Sequence, residues 1–305
     1  MKSRIFDLLK PIVDKFKSPK KMVIPFPYEE SFLWSIQQAF ECKIIYPTLI
    51  GSKRKIEGLI KSKNLDFKYT LIDEEDTDKC LKKSMELLKS EGYDFLTKGL
   101  VNTDTLLHAV LDKESGLKRE SILSHTALFE IPGFKRLIII TDAGVNISPD
   151  LTRKMQIIEN AVKMAKVIGI KKPKVAVLAA VEKVIYPAMP ATRDADLLAQ
   201  MSKQGRFKDA IVEGPYALDN AVSIESAKTK GITGQVAGKA DILLVPNIEA
   251  GNILYKSLTC FAKADAAGIV VGASHPLVVS SRADDAETKF LSILLAAVYA
   301  ERHEE

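Results

Sequence analysis

Cysteine and histidine are scarce in this chain of 305 residues, which has three of the first (Cys42, Cys80, Cys260) and four of the second (His108, His125, His275, His303). The cysteines are odd in number and widely spaced, so neither a disulfide framework nor a zinc pattern is present, and a reducing compartment, the cytoplasm, is expected. Each cysteine reads as a small buried apolar residue rather than a nucleophile. The histidines form no HExxH or Cys/His cluster, so no metal site is expected. Phosphate-loop fingerprints are missing too. Gly238-Lys239 has Thr233 where Walker A needs glycine and Ala240 where it needs Ser or Thr, and there is no G-x-G-x-x-G. No run approaches the roughly 18 apolar residues of a membrane span. Asp7, Lys10, Pro11 and Asp14 break up the N-terminal stretch, which is therefore not a secretory signal. Lys and Arg number 44 against 39 Asp and Glu, a net charge of +5 spread along the chain. Nucleic acid needs a concentrated patch, so it is excluded as a partner, and small anions remain open.

What is present is an α/β pattern. The chain is 47% hydrophobic and 27% charged, and long enough for two domains. Apolar runs recur at 21–26, 136–144, 173–181, 240–247 and 267–274, all but the third ending in or beside Gly, Pro, Asn or Ser. Their continuity is that of strands buried on both faces of a parallel sheet. The clearest helix follows Ser148-Pro149, an N-cap with Pro at the first helical position, and ends near Gly169. Residues 1–145 with about 285–305 are expected to form one α/β domain and 146–284 a second. Ligands bind outside the carboxyl ends of strands in such sheets. The polar residues just after the runs therefore stand out: Asp142 and Asn146, Glu182, Asn247 and Glu249, Ser281 with Arg282.

Four stretches could carry chemistry. In PNIEAGNILYK (246–256) a helical pattern is expected to follow Gly251, which puts Asn247, Glu249 and Asn252 on a strand-to-helix turn, with Lys256 beyond. Such a turn can face an anion, or it is simply a capped turn in which Asn and Gly serve backbone geometry. Ser124 and His125 are adjacent in an extended segment and point to opposite faces, so one lines a site and the other packs. Lys98 follows the short run YDFL, where it meets a phosphate as a point charge or is solvated. Finally, Val278–Phe290 reads VVSSRADDAETKF. Asp284-x-x-Glu287 fits a capping box, and acidic residues suit a helix N-terminus. Arg282 does not, because a cation there is unfavourable unless an anion offsets it.

GPYALDNAVS (214–223), VAGKADILLVPNIEAGNILYKSL (236–258) and VVGASHPLVVSSRADDAETK (270–289) together resemble the phosphate acetyltransferase and phosphate butyryltransferase family, closer to the butyryltransferase branch. The likeness extends back through residues 124–151 and is weakest before residue 95. It implies two α/β/α domains with largely parallel sheets, an interdomain cleft and a fold related to isocitrate and isopropylmalate dehydrogenases, usually in a homodimer. It also implies transfer of a short, butyryl-like acyl group between coenzyme A and inorganic phosphate, both substrates rather than tightly bound cofactors. Ser281 would stand near the thioester and Arg282 would hold phosphate. Lys98, Ser124, Asn146, Asn247, Glu249, Asn252 and Lys256 are the further candidates for binding. The family's acetyltransferases have an aspartate six residues after the arginine, as base toward the thiol; here that position is Thr288, and Glu287 is the nearest carboxylate. An acetyl-specific enzyme is one alternative. A dehydrogenase would need metal-binding aspartates and a nicotinamide site that find no place, and a CoA-thioester sensor is the non-enzyme alternative raised by Thr288. Phosphate is itself the nucleophile in the implied reaction, so direct transfer in a ternary complex is expected. Mass spectrometry after incubation with acyl-CoA alone should then find no acyl-enzyme, and a stable acylated side chain would overturn direct transfer.

Overall fold

A computed structural model describes residues 3–303 apart from 91, 115, 118 and 282, with the backbone only at 119, 120 and 303. The chain forms two compact units, Met1–Glu120 with Asp265–Glu305 (unit 1) and Ser121–Ala264 (unit 2). The sequence reading divides instead near 145 and about 285. Those points fall inside the units because β5 pairs with β6 in unit 2, and β10 and β11 belong to the sheet of unit 1.

Unit 1 begins α1 (Arg4–Val13), β1 (Lys20–Pro25), α2 (Glu30–Glu41), β2 (Ile45–Gly51), α3 (Lys53–Ser62), β3 (Thr70–Asp73), α4 (Thr77–Lys89), β4 (Phe95–Thr97) and α5 (Thr103–Leu111). Unit 2 holds β5 (Arg119–Glu130, from Ser121 on), β6 (Leu137–Thr141), α6 (Leu151–Val167), β7 (Lys174–Leu178), α7 (Pro190–Lys203), β8 (Ile211–Tyr216), α8 (Leu218–Val222), α9 (Ile224–Thr229), β9 (Ile242–Leu244) and α10 (Ile248–Cys260). Unit 1 resumes with β10 (Asp265–Ala273), β11 (Leu277–Val278) and α11 (Ala286–His303). Strand order is β3-β2-β1-β4-β11-β10 in unit 1 and β5-β6-β9-β7-β8 in unit 2. Pairing is parallel except for β5 with β6 and β10 with β11.

The five apolar runs all form strands, and their side chains are buried on both faces, as at Met22–Ile24, Ile138–Ile140, Ile242–Leu244 and Ile269–Val271. α11 is less amphipathic than its sequence pattern implies. Phe290, Leu291, Leu294, Leu295 and Val298 are fully buried as expected, but so are Ile293, Ala296 and Ala297. A helix apolar all round needs cover on every side, and α11 packs on α1, α2 and β10. α6 ends where expected but starts two residues late, because Asp150 rather than Ser148 is its cap, accepting from the Arg153 N–H at 2.8 Å. Only Cys80 among the cysteines is buried; Cys42 is half-buried and Cys260 exposed. Burial pushes the Cys80 thiol up to about 12, so it holds its proton at neutral pH.

Two glycines give opposite expectations. A Cβ on Gly99 would lie 2.2 Å from the carbonyl oxygens of both Pro25 and Phe26, whereas Gly58, exposed within α3, has nothing within 4 Å. Gly99→Ala should lower unfolding free energy by about 3 kcal/mol or more, and Gly58→Ala should raise it by about 0.5–1 kcal/mol. Urea denaturation of the two variants checks both signs.

Candidate active site

In unit 1, β4 and β11 run parallel, with Leu277 opposite Leu96 and Val278 opposite Thr97. The segments that leave them, Lys98–Val101 and Val279–Asp285, therefore emerge at the same sheet edge, the carboxyl end. β1 is the parallel neighbour of β4 on its other side and delivers Phe26 to that edge. The three exits are stitched together. The Lys98 N–H donates to the Val278 carbonyl at 2.8 Å and the Leu100 N–H to the Phe26 carbonyl at 2.7 Å. Lys98 is 8% exposed, its ammonium within 3.2 Å of the Val101 carbonyl.

The loop after β11 is built by two adjacent aspartates with separate tasks. Asp284 Oδ2 accepts from the Ser281 N–H at 2.7 Å and closes a tight turn. Asp285 Oδ1 accepts from the Thr288 N–H at 2.8 Å, so Asp285 caps α11. The expected capping box between Asp284 and Glu287 is thus displaced by one residue, since Asp284 is already engaged with Ser281. The reciprocal position of the box is Thr288, and Glu287 stands half-buried one residue before it. Ser281 is exposed; its Oγ accepts from the Ala283 N–H at 3.2 Å, and among the described residues none takes its hydroxyl proton. That leaves a hydroxyl donor at the sheet edge. Arg282 lies outside the described residues.

In unit 2, β6 and β9 are parallel neighbours, and their exits meet in the same way. The buried Asp142 carboxylate takes four donors: the N–H groups of Gly144 and Val145 at 2.9 Å on Oδ1, and the Asn146 N–H at 3.1 Å and Nδ2 at 2.6 Å on Oδ2. Asn146 Nδ2 also reaches the Leu123 carbonyl at 2.8 Å. Asn146 is therefore spent on holding the turn. α10 begins at Ile248, not after Gly251, because Asn247 Oδ1 already caps it through the Ala250 N–H at 3.0 Å. Gly251 instead allows close approach, since a Cβ there would lie 2.7 Å from the Asp142 carbonyl. Glu249 and Asn252 are exposed on the first turn of α10. Lys256, further along, lies over the Tyr255 ring at 5.3 Å.

Ser124 is fully buried, its Oγ accepting from Asn160 Nδ2 at 2.9 Å, which fastens β5 to α6. His125 is half-buried beside Gly144, its ring 6.0 Å from Tyr255. The pair faces opposite ways as extended backbone requires, with Ser124 the more buried of the two.

The comparisons with known proteins follow the same chemistry. A family model described as "Phosphate acetyl/butaryl transferase" matches residues 74–297. The chain is 45% identical over 285 residues to a phosphate butyryltransferase of Clostridium beijerinckii, across 93% of this chain and 94% of that one. It is 41% identical over 281 residues to a phosphate acetyltransferase of Thermotoga maritima, across 92% and 95%. The crystal structure of a branched-chain phosphotransacylase from Enterococcus faecalis superposes with a TM-score of 0.82 at 31% identity, covering 92% of this chain and 99% of that one.

Asp142→Asn keeps the shape but turns an amide N–H₂ toward backbone donors. Hydrogen bonds to a charged acceptor contribute about 1.5–3 kcal/mol each, so a loss of about 3 kcal/mol is expected. Urea unfolding measures it, and an unchanged midpoint would contradict the four-donor role.

Proposed function

The chain belongs to the phosphate acetyl/butyryltransferase family, and from that premise we propose that it interconverts acyl-CoA plus inorganic phosphate with acyl phosphate plus coenzyme A. A phosphate oxygen attacks the thioester carbonyl carbon, the carbonyl oxygen becomes an oxyanion, and the C–S bond breaks as the thiolate takes a proton. The observation that carries the residue assignment is the Ser281 turn, which presents an unused hydroxyl donor at the edge where Lys98 is fixed. Ser281 donates to the oxyanion. Arg282 grips phosphate, a role supported by the family pattern and by the mismatch of a cation before a helix N-terminus. Glu287 handles the thiol proton, as the carboxylate nearest to Thr288, the position where the family's acetyltransferases have an aspartate. In unit 2 the substrate contacts narrow to Glu249, Asn252, Lys256 and the amide nitrogen of Asn247, since Ser124, Asn146 and the Asn247 oxygen are occupied internally.

A short, butyryl-like acyl group is the proposed substrate, in line with the butyryltransferase relative. Acetyl is the second reading, because the acetyltransferase relative is nearly as similar. Coenzyme A and phosphate turn over as substrates, and a homo-oligomer in the cytoplasm is part of the same reading.

Thiol release from butyryl-CoA should require phosphate or arsenate, and should exceed that from acetyl-CoA in kcat/KM. Arg282→Ala should lower kcat/KM for phosphate about 100-fold with little change in KM for acyl-CoA. Glu287→Gln should lower kcat at least about 100-fold. Acyl-CoA binding without phosphate-dependent turnover would favour a sensor.

A further inference from the structure

One charged group of the α11 first turn has no part in this reaction. Lys289 is 1% exposed and lies among fully buried neighbours, Phe290, Leu291 and Ile293. Its ammonium donates to Ser31 Oγ at 2.7 Å and pairs with Glu29 Oε2 at 3.2 Å. A cation in the first turn opposes the helix dipole, and a buried ion pair seldom improves on an apolar side chain of similar volume. Stability alone therefore gives no account of a lysine here.

Its partners do. Glu29 stands at the N-terminal boundary of α2 without capping it through its side chain, and Ser31 lies in that helix's first turn. A second contact runs alongside, as Ser35 Oγ donates to the Ala286 carbonyl at 2.7 Å. α2 thus holds both the first residue of α11 and the lysine three positions on. The same α2 entry segment starts at Phe26, whose carbonyl receives the Leu100 N–H and against which Gly99 packs. Residues 26–31 therefore touch the Lys98 loop on one side and the start of α11 on the other. From there the Asp285 cap and the Asp284 turn lead back to Ser281.

We propose that Lys289 is a positioning residue for acyl transfer. Held by Glu29 and Ser31, it fixes the first turn of α11, and with it the Ser281–Thr288 turn, in register with the Lys98 loop. This rests on the assignment of Ser281 and Arg282 to the reaction. A shift of about 1 Å in a reacting group can cost on the order of 100-fold in rate, so loss of the tether should appear in kcat.

The test uses the full chain with Lys289→Met, Glu29→Gln/Lys289→Met and Ser31→Ala, measuring kcat, both KM values, the unfolding midpoint and amide hydrogen exchange across 281–289. Lys289→Met should lower kcat about 30-fold, change KM for either substrate less than about threefold, and speed exchange at 281–289. The double variant removes both charges, so it should recover stability but not kcat. Ser31→Ala keeps the ion pair and folds even if Lys289→Met does not; about a fivefold loss of kcat with faster exchange at 281–289 is expected. The proposal is overturned if Ser31→Ala and Lys289→Met keep wild-type kcat, or if the double variant regains it, which would make the lysine a neutraliser of Glu29. It also fails if kcat falls while exchange at 281–289 is unchanged. Ser281→Ala and Arg282→Ala in the same assays separate the two ideas. Wild-type rates in both would remove the site assignment itself, whereas their inactivity beside an active Lys289→Met removes only the positioning role.

Discussion

The parallel pairing of β4 with β11 is the constraint on which the site region of unit 1 depends. The two strands are short, three and two residues, so their exits leave the sheet almost at once and keep the register that the strands set. The Lys98 N–H on the Val278 carbonyl extends that register one step into the loops. A slip by one residue would turn Thr97, which is buried, toward the other face and carry Lys98 with it. Gly99 then allows the β1 exit to close in from the other side. Chain segments far apart in sequence reach one edge through backbone geometry before any side-chain chemistry is specified.

Carboxylates in both units divide along the same line. Asp142 takes four N–H donors and Asp284 and Asp285 one backbone N–H each, and all three act as parts of the backbone by fixing turns. Carboxylates used this way are unsuited to moving protons, because protonation would break the turn they hold. Glu287 stands two residues beyond Asp285, half-buried in the first turn of α11. Lysines follow a similar rule in unit 1. Lys98 and Lys289 are both nearly buried, the first held by the loop after β4 and the second by the start of α2.

The strands most visible in the sequence were those buried on both faces, since continuous apolar runs record that burial directly. β5 is legible in the sequence only as an extended segment at Ser124 and His125, because buried polar residues such as Ser124 and Thr126 interrupt any apolar run. β8 was hidden by Gly214 and Pro215 within it. Arg282 could be picked out because it conflicts with helix-capping logic, and Ser281 because it follows a buried apolar run and matches the family pattern. The choice between Asp284 and Asp285 could not, as adjacent aspartates satisfy one pattern and only the Ser281 N–H decides between them. Lys289 was illegible for a different reason: its partners lie about 260 residues away, and a lysine in TKFLSILL reads as a solvated face.

The discontinuity of unit 1 fixes an order of assembly. A ribosome completes all of unit 2 before it makes Asp265–His303, and those residues supply two strands beside β4 and the helix that covers them. Until then the nascent unit 1 presents the apolar surfaces of α1 and α2 without the helix that buries them, while β4 has an open edge. Such surfaces and edges are where growing chains aggregate. The segment that brings Ser281 to the sheet edge is also the one that closes the core, so unit 1 gains its reactive loop only as its fold is finished.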